Sequence, residues 1–185
     1  MLSGILQNQE WNPLFIEAFL DRRKIEMHPQ GSQIIEIGKI CRKIYFVAKG
    51  TLRFFYYDNE GNEITHWFLF EGDFITEVSS FFEQKESDYY LEALEDCELH
   101  AHTFDDITFL LNQFPEMEKI GRIITTKSLL ELGEKLKDLQ FRDAKSRYDN
   151  LLKKHPNILQ KVPLGHIASY LGITQQSLSR IRRQK

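Results

Sequence analysis

Cysteine is scarce in this chain: Cys41 and Cys97 are the only two among 185 residues. Two thiols without an export signal argue against a disulfide framework, and they are too few for an iron–sulfur cluster, which usually takes about four. Proline (5) and glycine (10) are also sparse, which excludes collagen-like and low-complexity classes. No stretch approaches the roughly 18 consecutive apolar residues of a membrane span, and residues 1–10 lack a basic leader followed by an apolar run, so a cytoplasmic protein is expected. Also missing are a Gly-Lys-Ser/Thr phosphate loop, a nucleophile elbow and a His-Glu-x-x-His pair, leaving an enzyme without support. What is present, 42% hydrophobic, 12% aromatic and 28% charged residues, is the composition of a globular protein with a core.

Charge is divided unevenly. Residues 1–115 hold 9 Lys and Arg against 20 Asp and Glu, whereas residues 116–185 hold 15 against 7. Most of the excess follows Gln140: Arg142, Lys145, Arg147, Lys153, Lys154, Lys161, Arg180, Arg182, Arg183 and Lys185 face only Asp143 and Asp149. A polyanionic partner at this end is one reading and a solvated basic face the other; charge alone does not choose.

Along the chain, Leu14, Phe15, Phe19 and Leu20 predict a short amphipathic helix over 12–24, ahead of a turn at 28–31. From 32 to 104 the texture is β-rich, with runs at 33–37, 44–47, 51–57, 63–70, 89–94 and 98–103. Strands at intervals of about ten residues indicate an antiparallel sandwich or barrel. Asp58, Asn59 and Gly61 mark a hairpin between two of them. A helix is expected over 104–113. A long one runs from Glu116 to Leu139, with Ile120, Ile123, Ile124, Leu129, Leu130, Leu132, Leu136 and Leu139 as its apolar positions. These cover more surface than one packed stripe needs. A two-helix seam across a dimer would use the surplus, and folding back on its own domain is the alternative. A basic helix over 142–154 is broken at His155 and Pro156, and the last 25 or so residues read as a separate unit.

That unit is the most informative stretch. Leu164, Ile167, Ala168 and Leu171 form one apolar helical face, Gly172 ends the helix, Ile173 plugs the turn and Thr174 can cap a second helix. Leu178 and Ile181 then point inward, while Gln175, Gln176, Ser179, Arg180, Arg182 and Arg183 point outward. This is a helix-turn-helix pattern, with small Ala168 permitting a close, steep crossing. The outward set suits duplex DNA: Gln bonds adenine, Arg grips guanine, and hydroxyls and distal Arg residues hold phosphates.

On these residues the whole chain resembles the cyclic-AMP receptor protein / fumarate-nitrate regulator superfamily of bacterial transcription factors, in a short form. The helix-turn-helix match rests on Ile167, Ala168, Leu171, Gly172, Ile173, Thr174, Ser177, Leu178, Ser179 and Arg180. A looser N-terminal match runs from Gly31 through Val47, Gly50, Thr51, Leu52 and Arg53 to Glu71, Gly72, Asp73, Phe74 and Ile75. The resemblance implies an α+β fold: an antiparallel β-roll (a jelly-roll-like double-stranded β-helix) with flanking helices over 1–115, a dimerisation helix over 116–139, and a winged-helix-like helix-turn-helix domain over 140–185. It implies a homodimer on double-stranded DNA, an effector of unidentified chemistry, and RNA polymerase as partner were the protein an activator. Gln175, Gln176 and Arg180 would read bases, and Thr174, Ser177, Ser179, Arg182 and Arg183 would hold the backbone. No cofactor is expected. The runner-up is a small-molecule sensor whose helical tail contacts a protein rather than DNA.

The chain departs from the resemblance at the phosphate cassette. Relatives that bind cyclic AMP carry Gly-Glu and, about ten residues on, Arg-Ser or Arg-Thr; the matching positions here are Thr76-Glu77 and Ser87-Asp88, beyond Gly72. A neutral Ser87 beside anionic Asp88 replaces the cation, and each such charge-assisted contact is worth roughly 1.5–3 kcal/mol, so no physiological cyclic-AMP affinity is expected. The cavity would take an uncharged or cationic ligand, or be filled by Phe81, Phe82, Tyr89 and Tyr90. A second departure is Gln176, where many relatives carry Glu, so the operator need not copy the common half-site. His100 and His102 share a strand face and could meet Glu98 or Glu92 at a metal, but a surface pair explains them with fewer ligands to find. Asp105 and Asp106 read as helix-capping groups.

Overall fold

The computed structural model describes residues 11–183. Residues 1–10, read above for a leader, and Lys185 of the basic excess lie outside them. Helix α1 (Pro13–Asp21) starts where the Asn12 side chain accepts from the Leu14 N–H at 3.0 Å, with proline in the first turn. It ends short of the expected residue 24, because Lys24–His28 forms strand β1.

Seven more strands follow: β2 (Gln33–Ile35), β3 (Lys43–Lys49), β4 (Leu52–Tyr57), β5 (Glu63–Leu69), β6 (Phe74–Ile75), β7 (Tyr90–Ala93) and β8 (Cys97–Thr103). They form two antiparallel sheets, ordered β1-β8-β3-β6 and β2-β7-β4-β5. Period-2 alternation decides which side chains enter the space between the sheets. Val47, Leu52, Phe54, Leu91, Ala93, Leu99 and Ala101 point inward and, with Ile35, Tyr45 and Ile75, make the roll's core. Gly50 joins β3 to β4 at φ +107°, and a Cβ there would lie 2.4 Å from Cys97 Sγ, so the turn closes only around glycine.

A second core lies under the helices. α2 (Val78–Glu83), α3 (Phe104–Gln113) and the start of α4 (Pro115–Phe141) join α1 in burying Phe15, Phe81, Ile107, Leu110, Met117 and Ile120. Thr103 and Asp106 cap α3 reciprocally: the Thr103 hydroxyl accepts from Asp106 N–H at 3.1 Å, and the Asp106 carboxylate accepts from Thr103 N–H at 2.9 Å. Asp106 is therefore a capping group, with Thr103 at the cap itself and Asp105 in the first turn of the helix. Beyond Ile120, helix α4 leaves Leu129, Leu130, Leu132, Leu136, Leu139 and Phe141 at least half exposed.

The chain ends in α5 (Ala144–Lys154), α6 (Ile158–Lys161), α7 (Leu164–Tyr170) and α8 (Gln175–Arg183). Tyr148, Leu151, Ile158, Val162, Ile167, Ala168, Leu171 and Leu178 form their core, but Phe68 and Leu94 of the roll belong to the same cluster. The C-terminal unit, read from sequence as separate, thus shares an apolar cluster with the roll. Its α7 covers the outer face of β5, because Phe68 offers that face an apolar side chain that must be buried somewhere.

Candidate nucleic-acid interface and ligand cassette

The turn between α7 and α8 forms as its residues dictate. Gly172 takes φ +66°, the left-handed conformation that terminates a helix, and its N–H donates to Ser169 C=O at 3.0 Å while Ile173 N–H donates to Ala168 C=O at 3.0 Å. The Thr174 hydroxyl accepts from Ser177 N–H at 3.2 Å and meets the Ser177 hydroxyl at 3.0 Å, so these two residues cap α8. Leu178 is fully buried and pins α8 from beneath.

The opposite face of α8 is open. Gln175, Gln176, Ser179, Arg180 and Arg183 line one shallow depression, and Arg182 is exposed beside it. Among the described residues, no carboxylate pairs with Arg180, Arg182 or Arg183. Three uncompensated guanidiniums in the last turn also complement the negative end of the helix dipole. Chemically, this face offers amide donors and acceptors of the kind that read base edges, flanked by forks that match phosphate.

The cassette residues are committed to one another. Glu77, nearly buried, caps α2: its carboxylate accepts from Ser79 N–H at 3.3 Å, from Ser80 N–H at 2.6 Å and from the Ser79 hydroxyl at 2.8 Å. Ser87, also buried, donates its hydroxyl to Tyr89 C=O at 2.9 Å and accepts from Tyr89 N–H at 3.1 Å. The Thr76 hydroxyl donates to Lys43 C=O at 3.1 Å, and Gly72 N–H donates to Val47 C=O at 2.9 Å. Asp88 is exposed, and the nearby Lys85 ammonium is held 2.7 Å from Glu83. No cation stands among the five cassette positions.

The aromatic filling differs from expectation. Of the four candidates only Tyr89 packs against the roll's core. Phe81 turns into the helical core beside Phe104, Phe82 is largely exposed, and Tyr90 stacks on Phe55 at 5.1 Å. The reason is helix α2, which the sequence did not announce: it carries Phe81 toward α3 rather than between the sheets. The two histidines part as well. His100 meets Glu98 at 2.9 Å, whereas His102 bonds the Phe19 carbonyl at 2.8 Å under the Phe19 ring. Among the described residues no three His, Cys, Asp or Glu side chains are grouped to hold a metal, and no helix is long and apolar enough to cross a membrane.

Sequence reasoning missed the groups that tie the C-terminal unit to the roll. Arg53, only 2% exposed, donates to Glu92 at 2.7 Å and to Glu63 at 2.5 Å, and its Nη1 meets His166 Nδ1 of α7 at 2.9 Å. Lys161 pairs with Glu95 at 3.2 Å, and the His155 ring stacks on Phe70 at 4.2 Å. Lys135 of α4 donates to the His66 carbonyl and lies over the rings of Trp67 and Tyr170. Burial against these rings pulls its ammonium down to about 8.

Residues 26–114 match the family model of the cyclic nucleotide-binding domain. The cAMP-activated global transcriptional regulator CRP of Escherichia coli O6:H1 is 27% identical over 176 residues, covering 90% of this chain and 84% of that protein. The solved structure of FixK2 from Bradyrhizobium japonicum superposes with a TM-score of 0.77 at 16% identity, over 88% of this chain and 83% of that one. The c-di-GMP responsive global regulator CLP of Xanthomonas campestris gives 0.75 at 19% identity, over 94% and 91%. The chain thus joins a cyclic-nucleotide-type roll through a long helix to a helix-turn-helix. Over most of its length the chain is similar to transcription regulators of the CRP/FNR type.

Proposed function

We propose that this protein is a sequence-specific DNA-binding regulator acting as a homodimer, and that cyclic AMP does not switch it. The observation that carries the DNA reading is the outer face of α8, where exposed Gln175, Gln176, Arg180 and Arg183 and half-buried Ser179 line one depression over a buried Leu178. Gln175, Gln176 and Arg180 contact bases; Thr174, Ser177, Ser179, Arg182 and Arg183 contact the phosphate backbone. Residues 1–115 are the sensor, 116–139 the dimerisation helix and 140–185 the reader; the exposed leucines of α4 supply the seam. The protein has no catalytic role, works in the cytoplasm, and meets RNA polymerase if it activates.

Indifference to cyclic AMP is supported by a cassette without a cation and by a Glu77 carboxylate already spent on three donors of α2. A ribose hydroxyl would have to displace bonds that hold a helix. Any effector at Gly72, Thr76, Glu77, Ser87 and Asp88 is uncharged or cationic.

Selection of random duplexes by the purified protein, followed by anisotropy on the winner with and without cyclic AMP, tests both parts. An enriched pseudo-palindrome with half-sites about one helical turn apart, bound equally with and without the nucleotide, is the expected result. Enrichment only with cyclic AMP overturns the second part. No enrichment, together with weak duplex binding at every moderate salt, overturns the first and favours a tail that contacts a protein.

A further inference from the structure

The contact between Arg53 and His166 constrains the proton on the imidazole. A guanidinium has donors only, so His166 Nδ1, 2.9 Å from Arg53 Nη1, must be the acceptor and the ring must be neutral with its proton on Nε2. The charged groups facing that ring are Arg53 of β4, Glu63 of β5 and Glu92 of β7, and among the described residues α8 adds none. Both carboxylates already hold Arg53, at 2.5 and 2.7 Å. An imidazolium there would set two donors and two cations against each other in a site from which Arg53 is almost wholly excluded from water.

We propose that His166 is an acid-sensitive latch: neutral, it docks α7 on the roll through Arg53, and protonated, it releases the helix-turn-helix. The docked state disfavours the proton, since burial and the Arg53 charge hold the imidazole below its ordinary 6.5 and outweigh the pull of Glu63 and Glu92. An undocked ring protonates near 6.5, so docking weakens as pH falls through that value and is complete above it. The other ties on α7, Ser169 to the β5 backbone and the packing of Tyr170 on Phe68, carry no group that titrates near this pH. The latch concerns the docked geometry; the DNA-binding reading enters only in its consequence, that α8 loses its fixed position on the roll.

Amide exchange of α7, scaled to the intrinsic rate at each pH, tests docking without DNA. At pH 5.5 the wild type should exchange severalfold faster in α7 than at pH 7.5, up to a limit of about tenfold, with the roll core unchanged. His166→Gln, whose amide oxygen still accepts from Arg53, should keep slow exchange at both values. His166→Lys, a permanent cation, should exchange fast at both. No pH effect in the wild type overturns the latch. So does an equal acid response in His166→Gln, which would assign it to His66 or His155 at the same interface.

Discussion

The Ser169 hydroxyl on α7 lies 2.9 Å from the Thr65 N–H of β5 and accepts its hydrogen bond, while donating to the Glu63 carbonyl at 3.0 Å. β5 is the outer strand of its sheet, so these two backbone groups would otherwise be an open edge. One side chain of the helix-turn-helix therefore does for the roll what a ninth strand would do. Ser169→Ala removes both bonds and leaves Thr65 N–H buried and unpaired. A loss of about 1–3 kcal/mol is expected, concentrated at the interface. Urea unfolding followed by both far-ultraviolet circular dichroism and Trp67 fluorescence would detect it, the latter falling first.

Gly50 predicts a larger effect. A methyl group there meets Cys97 Sγ at 2.4 Å and Cys97 Cα at 3.0 Å, on a backbone at φ +107° that side chains resist. Gly50→Ala should cost about 2–5 kcal/mol, overpacking and backbone strain together. Cys97→Ala should recover part of it by removing the sulfur, which a double-mutant cycle in urea would measure. Additive losses would mean that backbone strain alone is responsible.

Much of this was legible in sequence because the deciding interactions are local. The turn at Gly172, the cap at Thr174, the buried Leu178 and the outward arginines follow from helical period and from φ, which neighbours in the chain determine. Likewise the apolar surplus of α4 announced a long helix exposing leucines. What failed was non-local or weakly patterned. β1 exposes Ile25 and Met27, so its alternation looks like that of a loop, and β6 has two residues. Helix α2 is six residues long and capped by a glutamate that the cassette resemblance had assigned to a ligand. Arg53 was visible as a motif residue, but its partners Glu63, Glu92 and His166 come together only when α7 docks, which no spacing encodes.

The leucines along α4 offer a third test. Leu129, Leu132 and Leu136 are each at least half exposed and recur at three- and four-residue steps, the spacing of one helical face. Leu132→Glu with Leu136→Glu places carboxylates in the proposed seam. Sedimentation equilibrium should then report a monomer where the wild type is a dimer, with circular dichroism unchanged because neither leucine enters the chain's own core. A dimer in both would move the interface elsewhere.

Lys135 gives a pH dependence of the same sign as that of the latch, in a higher window. Its folded value of about 8 lies below the ordinary 10.5, so between these limits the unfolded chain binds the proton and the folded one has released it. Stability from this group therefore rises with pH across that window. Burial raises the Cys97 thiol, which acts in the other direction. The measurement is accordingly a difference: the urea midpoint of the wild type relative to Lys135→Met should increase from pH 7.5 to 9.5. A constant difference would mean that Lys135 titrates as an exposed amine.

Arg180 and Arg183 separate base reading from phosphate holding on one helix. Both line the depression on α8, but Arg183 lies at its C-terminal end and Arg180 a turn nearer the middle. A bidentate contact to guanine is lost entirely when the fork is removed, whereas a phosphate contact is shared by every duplex. Arg180→Ala should therefore lower the preference for the selected site over random DNA by about 1–3 kcal/mol, with little change on random duplexes. Arg183→Ala should weaken both alike and flatten the dependence of log K on log salt by about one unit, since one fewer counterion is displaced. Anisotropy titrations over a salt series on both duplexes read the two effects together. Equal losses on both duplexes for Arg180→Ala would place it on the backbone and leave Gln175 and Gln176 as the base-reading pair.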